Sequence, residues 1–390
     1  MRTIVNKHRW MTVTAIAVAT ALTLAACGST SPTAESAASA PAEAAASAST
    51  EGSAVSAVPE GRTEAFVRDF AAWSTPPAAI AVTTPHSKPA PEGMSIAYIT
   101  CGLPTCTTIS DSVKSAAELL GWKFTALGSE PTPEAIKAAW GQAVRLKPDA
   151  VFSSGFPSSI FAPELAELTA MGTGVFNCCG APDDAMTMVV VTPEAETAQG
   201  RYTAALAANF AKGTPNVLYV NLPEFGAIPA QYPVFQKALQ EYAPGAKEAS
   251  IDIPNSALGT TAATTIVSYL RSHPDVNYIA LTQDALSTGL PAALKAAGLD
   301  VPFSGNGGGP QPREMVASGQ QAGTVEFPID QVFWTMVDGF IRWKNGDSVE
   351  PDVAALKPPP YFLFTGENAT DTPSTIVPGL KEKFATLWGR

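Results

Sequence analysis

The sequence predicts an α/β protein built as two doubly wound parallel-sheet lobes, and three observations carry that prediction. From Met94 onward, short apolar runs alternate with stretches of helical spacing. Such strand–helix alternation builds parallel sheets covered by helices on both faces. The alternation comes in two consecutive series, which points to two lobes rather than one large sheet. With 46% hydrophobic and 15% charged residues in 390 positions, the chain can bury two sizeable cores.

The first element is a targeting segment. Arg2, Lys7 and Arg9 precede an apolar run from about Met11 to Leu24, and Leu24-Ala25-Ala26-Cys27 closes it. A basic start, a short apolar core and small residues before the cut are the parts of a secretory signal. The run is too short for a stable span. The cysteine after Leu-Ala-Ala resembles the lipobox of bacterial lipoproteins, which implies lipidation of Cys27 and an anchor on the outer face of the cell membrane. The other reading is an ordinary secretory signal with a chance cysteine. Either places the body in an extracytoplasmic, disulfide-permissive compartment. One acyl chain holds weakly; the multiply acylated anchor implied by the lipobox holds firmly.

Removing residues 1–26 takes away three basic and no acidic residues, so the net charge moves from −11 to −14. A chain this acidic has no electrostatic footprint for nucleic acid. Residues 27–60 are an Ala/Ser/Thr/Pro/Glu tract with too little apolar surface to offset ordering, and so read as a disordered tether. Its reach as a random coil is on the order of 30 Å. Residues 61–93 are a lead-in. Phe66, Phe70 and Trp73 share one face of a helix at 61–75, and a Pro-rich stretch follows.

In the body, strands are expected at 95–100, 123–127, 150–153 and 175–177, with helices at 110–120, 133–146 and 162–170. The second series places helices at 194–212, 229–242, 260–272 and 286–297 around strands at 216–220, 248–253, 278–281 and 301–304. Ligands of open α/β sheets bind beyond the carboxyl ends of the strands. The loops after Thr100, Ser153, Asn177, Val220, Leu281 and Ser304 are therefore the expected functional positions.

At this point the chain resembles the type I periplasmic-binding-protein family, in its ribose-binding-like sugar branch. The resemblance is carried by the strand from Met94 to Thr100 with Pro104, by Ala117-Glu118-Leu119-Leu120-Gly121-Trp122, and by Pro148-Asp149-Ala150-Val151. It continues through Ser272-His273-Pro274-Asp275, Gln283-Asp284-Ala285-Leu286-Ser287-Thr288-Gly289, the Gly305 to Pro310 stretch, and Gly323-Thr324-Val325-Glu326-Phe327-Pro328. It spans about Met94 to Gly346. It implies a first lobe of 94–192 plus 327–350 and a second of 193–326 plus 351–390. Three crossover segments would join them, closing on a small solute received by an ABC permease. The protein is then expected to be a monomer.

The pattern departs from the sugar binders in the ligand loops. Thr105-Cys106 stand where aromatics often follow the first-loop proline, and Cys178-Cys179-Gly180 replace an Asp-Arg pair. The 222–235 region lacks the second-lobe arginine and offers Phe225, Gln231 and Tyr232. Polar candidates are Gln283, Asp284, Asn306 and Glu326, and Phe156 is a candidate platform. A pocket without arginine suits a neutral polyol, a sugar derivative or a partly apolar ring. Each residue also has a plain structural reading. Asp284 caps the following helix, Asn306 with Gly307, Gly308 and Gly309 forms a turn, and Glu326 is a hinge residue. Tyr232, Phe235, Trp334 and Phe340 are core.

Cys101, Cys106, Cys178 and Cys179 fall in two first-lobe ligand loops, and four cysteines allow three pairings. One pairing closes Cys101 to Cys106 and makes a vicinal Cys178–Cys179 bond with a flat apolar face; the others staple the two loops together. Enzyme chemistry has little support. His8, His86 and His273 are the only histidines, and there is no His-Glu-x-x-His, no paired metal-ligand spacing and no Gly-x-Ser-x-Gly elbow. Neither cofactor nor metal is expected. A surface sensory receptor of the same fold is the competing reading, and a lipid-tethered hydrolase the third.

Overall fold

The computed structural model describes residues 58–100, 104–128, 130, 132–224, 228–369 and 376–390. The signal, Cys27, Cys101 and Phe225 lie outside the described residues. In chain order, α1 (Glu64–Trp73) is followed by β1 (Ser95–Ile99), α2 (Pro104–Leu119), β2 (Lys123–Leu127), α3 (Pro133–Leu146) and β3 (Ala150–Ser154). The first series ends with α4 (Ala162–Ala170), β4 (Gly174–Cys178) and β5 (Met188–Val190). The second comprises α5 (Pro193–Thr197), α6 (Gln199–Phe210), β6 (Asn216–Asn221), α7 (Gln231–Tyr242), β7 (Lys247–Asp252) and α8 (Ala262–Ser272). It continues with β8 (Tyr278–Leu281), α9 (Leu290–Ala297), β9 (Phe303–Gly307), α10 (Pro310–Ala317) and β10 (Gly323–Glu326). The closing elements are α11 (Ile329–Asn345), α12 (Glu350–Ala355), β11 (Phe362–Thr365) and α13 (Leu380–Leu387).

The first sheet runs β2-β1-β3-β4-β5 and is parallel throughout. The second runs β11-β10-β9-β8-β6-β7, parallel except for β11, which lies antiparallel on β10. Both are doubly wound, and period-two alternation sorts their side chains into separate cores. Ile96, Tyr98, Phe152 and Phe176 join the layer under α2 and α11, whereas Ala97, Ile99, Val151 and Val175 face α3 and α4. In the second lobe, Val217, Tyr219, Tyr278 and Ala280 lie under α6 and α7. Leu218, Val220, Ile279 and Leu281 face α8 and α9. Burial on both faces explains why these strands read as continuous apolar runs.

Several expected boundaries shift for local reasons. The helix expected at 110 begins at Pro104, since proline is tolerated in a first turn where its missing N–H costs nothing. The 194–212 helix is two helices, α5 and α6. The helix expected from 286 begins at Leu290, after a 3₁₀ turn and Gly289 at φ 77°. The strand expected at 301–304 lies at Phe303–Gly307.

The chain crosses between lobes after β5, between β10 and α11 and between α12 and β11, and it returns to the first lobe between β11 and α13. At the first crossing Val191 has φ 50°, a left-handed conformation that a β-branched residue adopts at a cost of ~1–3 kcal/mol. The expected assignment of 351–390 to the second lobe is corrected. Only β11 and its neighbours join the second sheet. Leu356, Leu380, Phe384 and Trp388 are buried in the first-lobe core, where Trp388 stacks on Trp334 of α11 at 5.3 Å. The cause is α13's apolar face, which matches the surface that α11 presents. No helix among the described residues is long and apolar enough to cross a membrane.

Candidate functional site

The crossovers leave β5 and β10 at their carboxyl ends and enter helices of the opposite lobe, so the carboxyl edges of both sheets meet at the interlobe boundary. That is where solutes bind in open α/β sheets.

On the first-lobe side, Cys178 and Cys179 are joined as a vicinal disulfide at the end of β4. Cys178 is buried, whereas Cys179 is half-buried with φ 64°. The turn is held by Cys179 N–H to Val190 O (3.0 Å) and by Gly155 N–H to Cys178 O (3.0 Å). Gly180 permits it, since a Cβ there would lie 2.7 Å from Asn177 Nδ2. Phe156 packs half-buried against the same core as Cys179. Asn177 is engaged by Ser153, whose hydroxyl donates to Asn177 Oδ1 at 2.8 Å. Thr105 is half-buried at the start of α2. Cys106 is disulfide-bonded and 2% exposed within the first-lobe core, which removes it from the cleft surface.

On the second-lobe side, Asp284 does not cap a helix. Its carboxylate accepts from Gly308 N–H, Gln321 Nε2 and Thr324 Oγ1, each at 2.8 Å. Burial pushes its pKa up despite these donors, which favour the charged form. Glu326 is also committed: both its oxygens accept from Arg313 Nε at 2.9 Å, and Oε1 accepts from Gly309 N–H at 3.2 Å. Burial raises its pKa, and Arg313 opposes the shift. The two carboxylates grip a glycine turn from both sides, with φ of 119° at Gly307, 72° at Gly308 and 103° at Gly309. Gly305 completes the arrangement, because a Cβ there would overlap Asp284 Oδ1. Arg313 corrects the expectation of a site with no arginine. It sits beyond the 222–235 region, and the Pro-Arg-Glu context of α10 carried no signal that it would pair with Glu326.

Asn306 is 1% exposed, and neither atom of its amide has a hydrogen-bond partner among the described residues. Gln231 is likewise buried, with Oε1 unpartnered. Gln283 is half-buried just before Asp284, with Oε1 facing Gly307. Tyr232 belongs elsewhere. It lies in an aromatic layer 4.9 Å from Tyr219, and its hydroxyl is hydrogen-bonded to Ser250 of β7.

Sequence reasoning missed Glu196, beside the first crossover. It is 9% exposed, and burial pushes its carboxyl up to about 8. Gln199 Nε2 donates to the Tyr361 hydroxyl at 2.9 Å, which links the first and third crossovers next to this group. The Pro193-Glu194-Ala195-Glu196 pattern reads as an exposed first turn, so only the tertiary fold exposes the burial.

A cavity of about 440 Å³ flanks the second crossover and is lined by Thr108, Arg313, Glu326, Phe327 and Leu380 among others. Its size suits a small molecule, but of the sequence-predicted residues it takes in only Glu326. Among the described residues, no cluster of His, Cys, Asp and Glu is arranged to hold a metal ion.

Two doubly wound lobes with facing carboxyl edges, joined by repeated crossings of the chain, define the type I periplasmic-binding-protein fold, and the chain has that fold. Solved structures agree. An ABC sugar transporter subunit from Rhodobacter sphaeroides 2.4.1 is 23% identical, with TM-score 0.58, over 71% of this chain and 99% of that one. A carbohydrate transporter from Acidothermus cellulolyticus 11B in complex with myo-inositol is 17% identical, with TM-score 0.60, over 76% and 99%. A periplasmic solute-binding protein from Actinobacillus succinogenes 130z with bound D-allose is 17% identical, with TM-score 0.61, over 71% and 99%. Neither a protein-family model nor a curated protein matches the sequence.

Proposed function

We propose that this chain is an extracytoplasmic solute-binding protein that captures a small neutral, sugar-like solute between its lobes and hands it to an ABC permease. The observation that carries the reading is the two-lobe fold, shared over nearly the whole length of an ABC sugar transporter subunit, a carbohydrate transporter and a periplasmic solute-binding protein with bound D-allose. The chemistry of the cleft supports a neutral ligand. Both amide atoms of Asn306 and Oε1 of Gln231 are buried without a hydrogen-bond partner among the described residues, and buried polar groups require one. Asp284 and Glu326 are already occupied by internal donors and hold the glycine turn that shapes the second-lobe wall.

The vicinal disulfide and Phe156 give the first-lobe wall a nonpolar surface where the sugar binders commonly place a charged pair. Such a wall suits the C–H face of a ring, while hydroxyls point to the amides opposite. The Leu-Ala-Ala-Cys27 sequence supports a lipid anchor that holds the monomer at the outer face of the cell membrane; the body has no role as an enzyme. A thermal-shift screen against sugars, polyols and aromatic ring compounds tests the reading, because a ligand that binds only the folded state raises the melting temperature. A shift confined to neutral polyhydroxyl or ring compounds is expected. Shifts with charged solutes alone would reject it.

A further inference from the structure

The two-lobe topology begins at β1, yet residues 58–91 are bound to both lobes. The first part belongs to the second lobe. Phe66 is buried in its core, Trp73 stacks on Tyr202 at 4.0 Å, and Thr63 N–H donates to Tyr242 O at 3.1 Å. Asp69 accepts from the Tyr242 hydroxyl (2.7 Å) and Arg201 (3.0 Å), and Arg62 donates to Ala208, Ala211 and Gly213 carbonyls. Asn368, just past β11, donates to Ser74 O at 3.2 Å.

The second part belongs to the first lobe. Ile80 and Val82 are buried in its core, and Ala81 N–H donates to Gln331 Oε1 at 3.1 Å. His86 Nε2 meets Asp338 Oδ1 at 2.7 Å, and the same oxygen accepts from Trp388 Nε1 at 2.7 Å. Arg342 donates to the Thr84 and Pro85 carbonyls, and Trp122 Nε1 donates to Pro91 O at 2.7 Å.

Between Ser74 and Ile80 stand only residues 75–79, Thr-Pro-Pro-Ala-Ala. Fully extended, that link spans about 21 Å, and its adjacent prolines fix φ and stiffen it. Its attachment points border the crossovers. Tyr202 is in α6 beyond the first, Gln331 is at the start of α11 beyond the second, and Asn368 follows β11 beyond the third.

We propose that this segment is a strap across the hinge that limits how far the ligand-free lobes open. A short proline link anchored on both sides transmits any opening beyond its span as loss of buried contacts at Trp73 or at Ile80 and Val82. A freely opening binding protein samples a broad range of interlobe distances; the strap narrows that range and so reduces the conformational change that ligand must drive.

The test is the interlobe distance in ligand-free protein, measured by dipolar spin-label spectroscopy between Lys137→Cys on α3 and Lys295→Cys on α9, both exposed positions. A ten-residue Gly/Ser insertion between Pro77 and Ala78 leaves every docked contact in place. It is expected to broaden the distance distribution and to move its mean outward by about 5 Å or more. Trp73→Ala reads the same quantity without lengthening the chain, and is expected to broaden it in the same direction. Unchanged distributions in either folded variant would overturn the strap. The readout involves no solute, so it stands or falls separately from the identity of the ligand.

Discussion

Glu196→Gln is the substitution whose effect follows most directly from the structure. The carboxyl is buried beside the first crossover, and its pKa is raised from 4.5 to about 8 by burial. In the unfolded chain the group loses its proton near its ordinary value. Between about 4.5 and 8 the folded state therefore holds a proton that the unfolded state has released. The sign follows from linkage: this contribution to stability is fully present below 4.5 and is lost as pH rises through 8. A shift of that size corresponds to at most ~5 kcal/mol.

Glutamine keeps the shape and cannot ionise, so it removes the pH dependence without opening a cavity. Urea denaturation of wild type and variant at about pH 5 and about pH 8.5 reads the effect. The variant is expected to gain on the wild type as pH rises, by about 2–4 kcal/mol across the window. Asp352, pushed up to about 9 by burial and by Asp338, contributes its own slope to both proteins and cancels in the difference. Parallel curves for the two proteins would refute the reasoning.

The other predictions concern the cleft and its frame. Asp284→Ala leaves Gly308 N–H, Gln321 and Thr324 without their acceptor, and is expected to lower stability by about 3 kcal/mol in chemical denaturation; a loss below measurement error would contradict the assigned role. Gly305→Ala places a methyl group onto Asp284 Oδ1. It is expected to destabilise by about 2 kcal/mol or more in the same assay, and a wild-type denaturation midpoint would show the strand has room. The double change Cys178→Ser with Cys179→Ser replaces the nonpolar wall by two hydroxyls, and should weaken binding of whatever solute the screen identifies by about tenfold or more. Titration calorimetry reads that loss, and unchanged affinity would remove the disulfide from the site.

The fold was legible because its signals are local and repeated. Strands buried on both faces, such as Ala150–Ser154, must be apolar throughout, and their helices must carry amphipathic spacing. Position 196 was illegible for the opposite reason. A glutamate in a first helical turn looks solvated until a crossover from the other lobe covers it. The C-terminal assignment failed similarly, because α13 has a short apolar face whose partner, Trp334, lies far back in the sequence. In the site, residue types were readable but their allegiance was not. Asp284 and Glu326 looked like ligand groups, yet both turn inward to a glycine loop whose geometry no pattern announces. Tyr232 went to an aromatic layer, as its helical spacing with Phe235 had suggested. Of the strap, the sequence showed only the shared helical face of Phe66, Phe70 and Trp73; that the lead-in docks, and that its two halves choose different lobes, depends on partners such as Tyr202 and Gln331 far along the chain.

The central claim is that the interlobe cleft takes a neutral polyhydroxyl or ring solute. Its most direct test is the thermal-shift screen of the purified protein, with sugars and polyols run beside aromatic rings, carboxylates and phosphates. The account predicts a concentration-dependent rise in melting temperature with a neutral sugar-like compound and none with the anions. A rise with anions alone, or no rise with any neutral compound in protein shown to be folded, would contradict it.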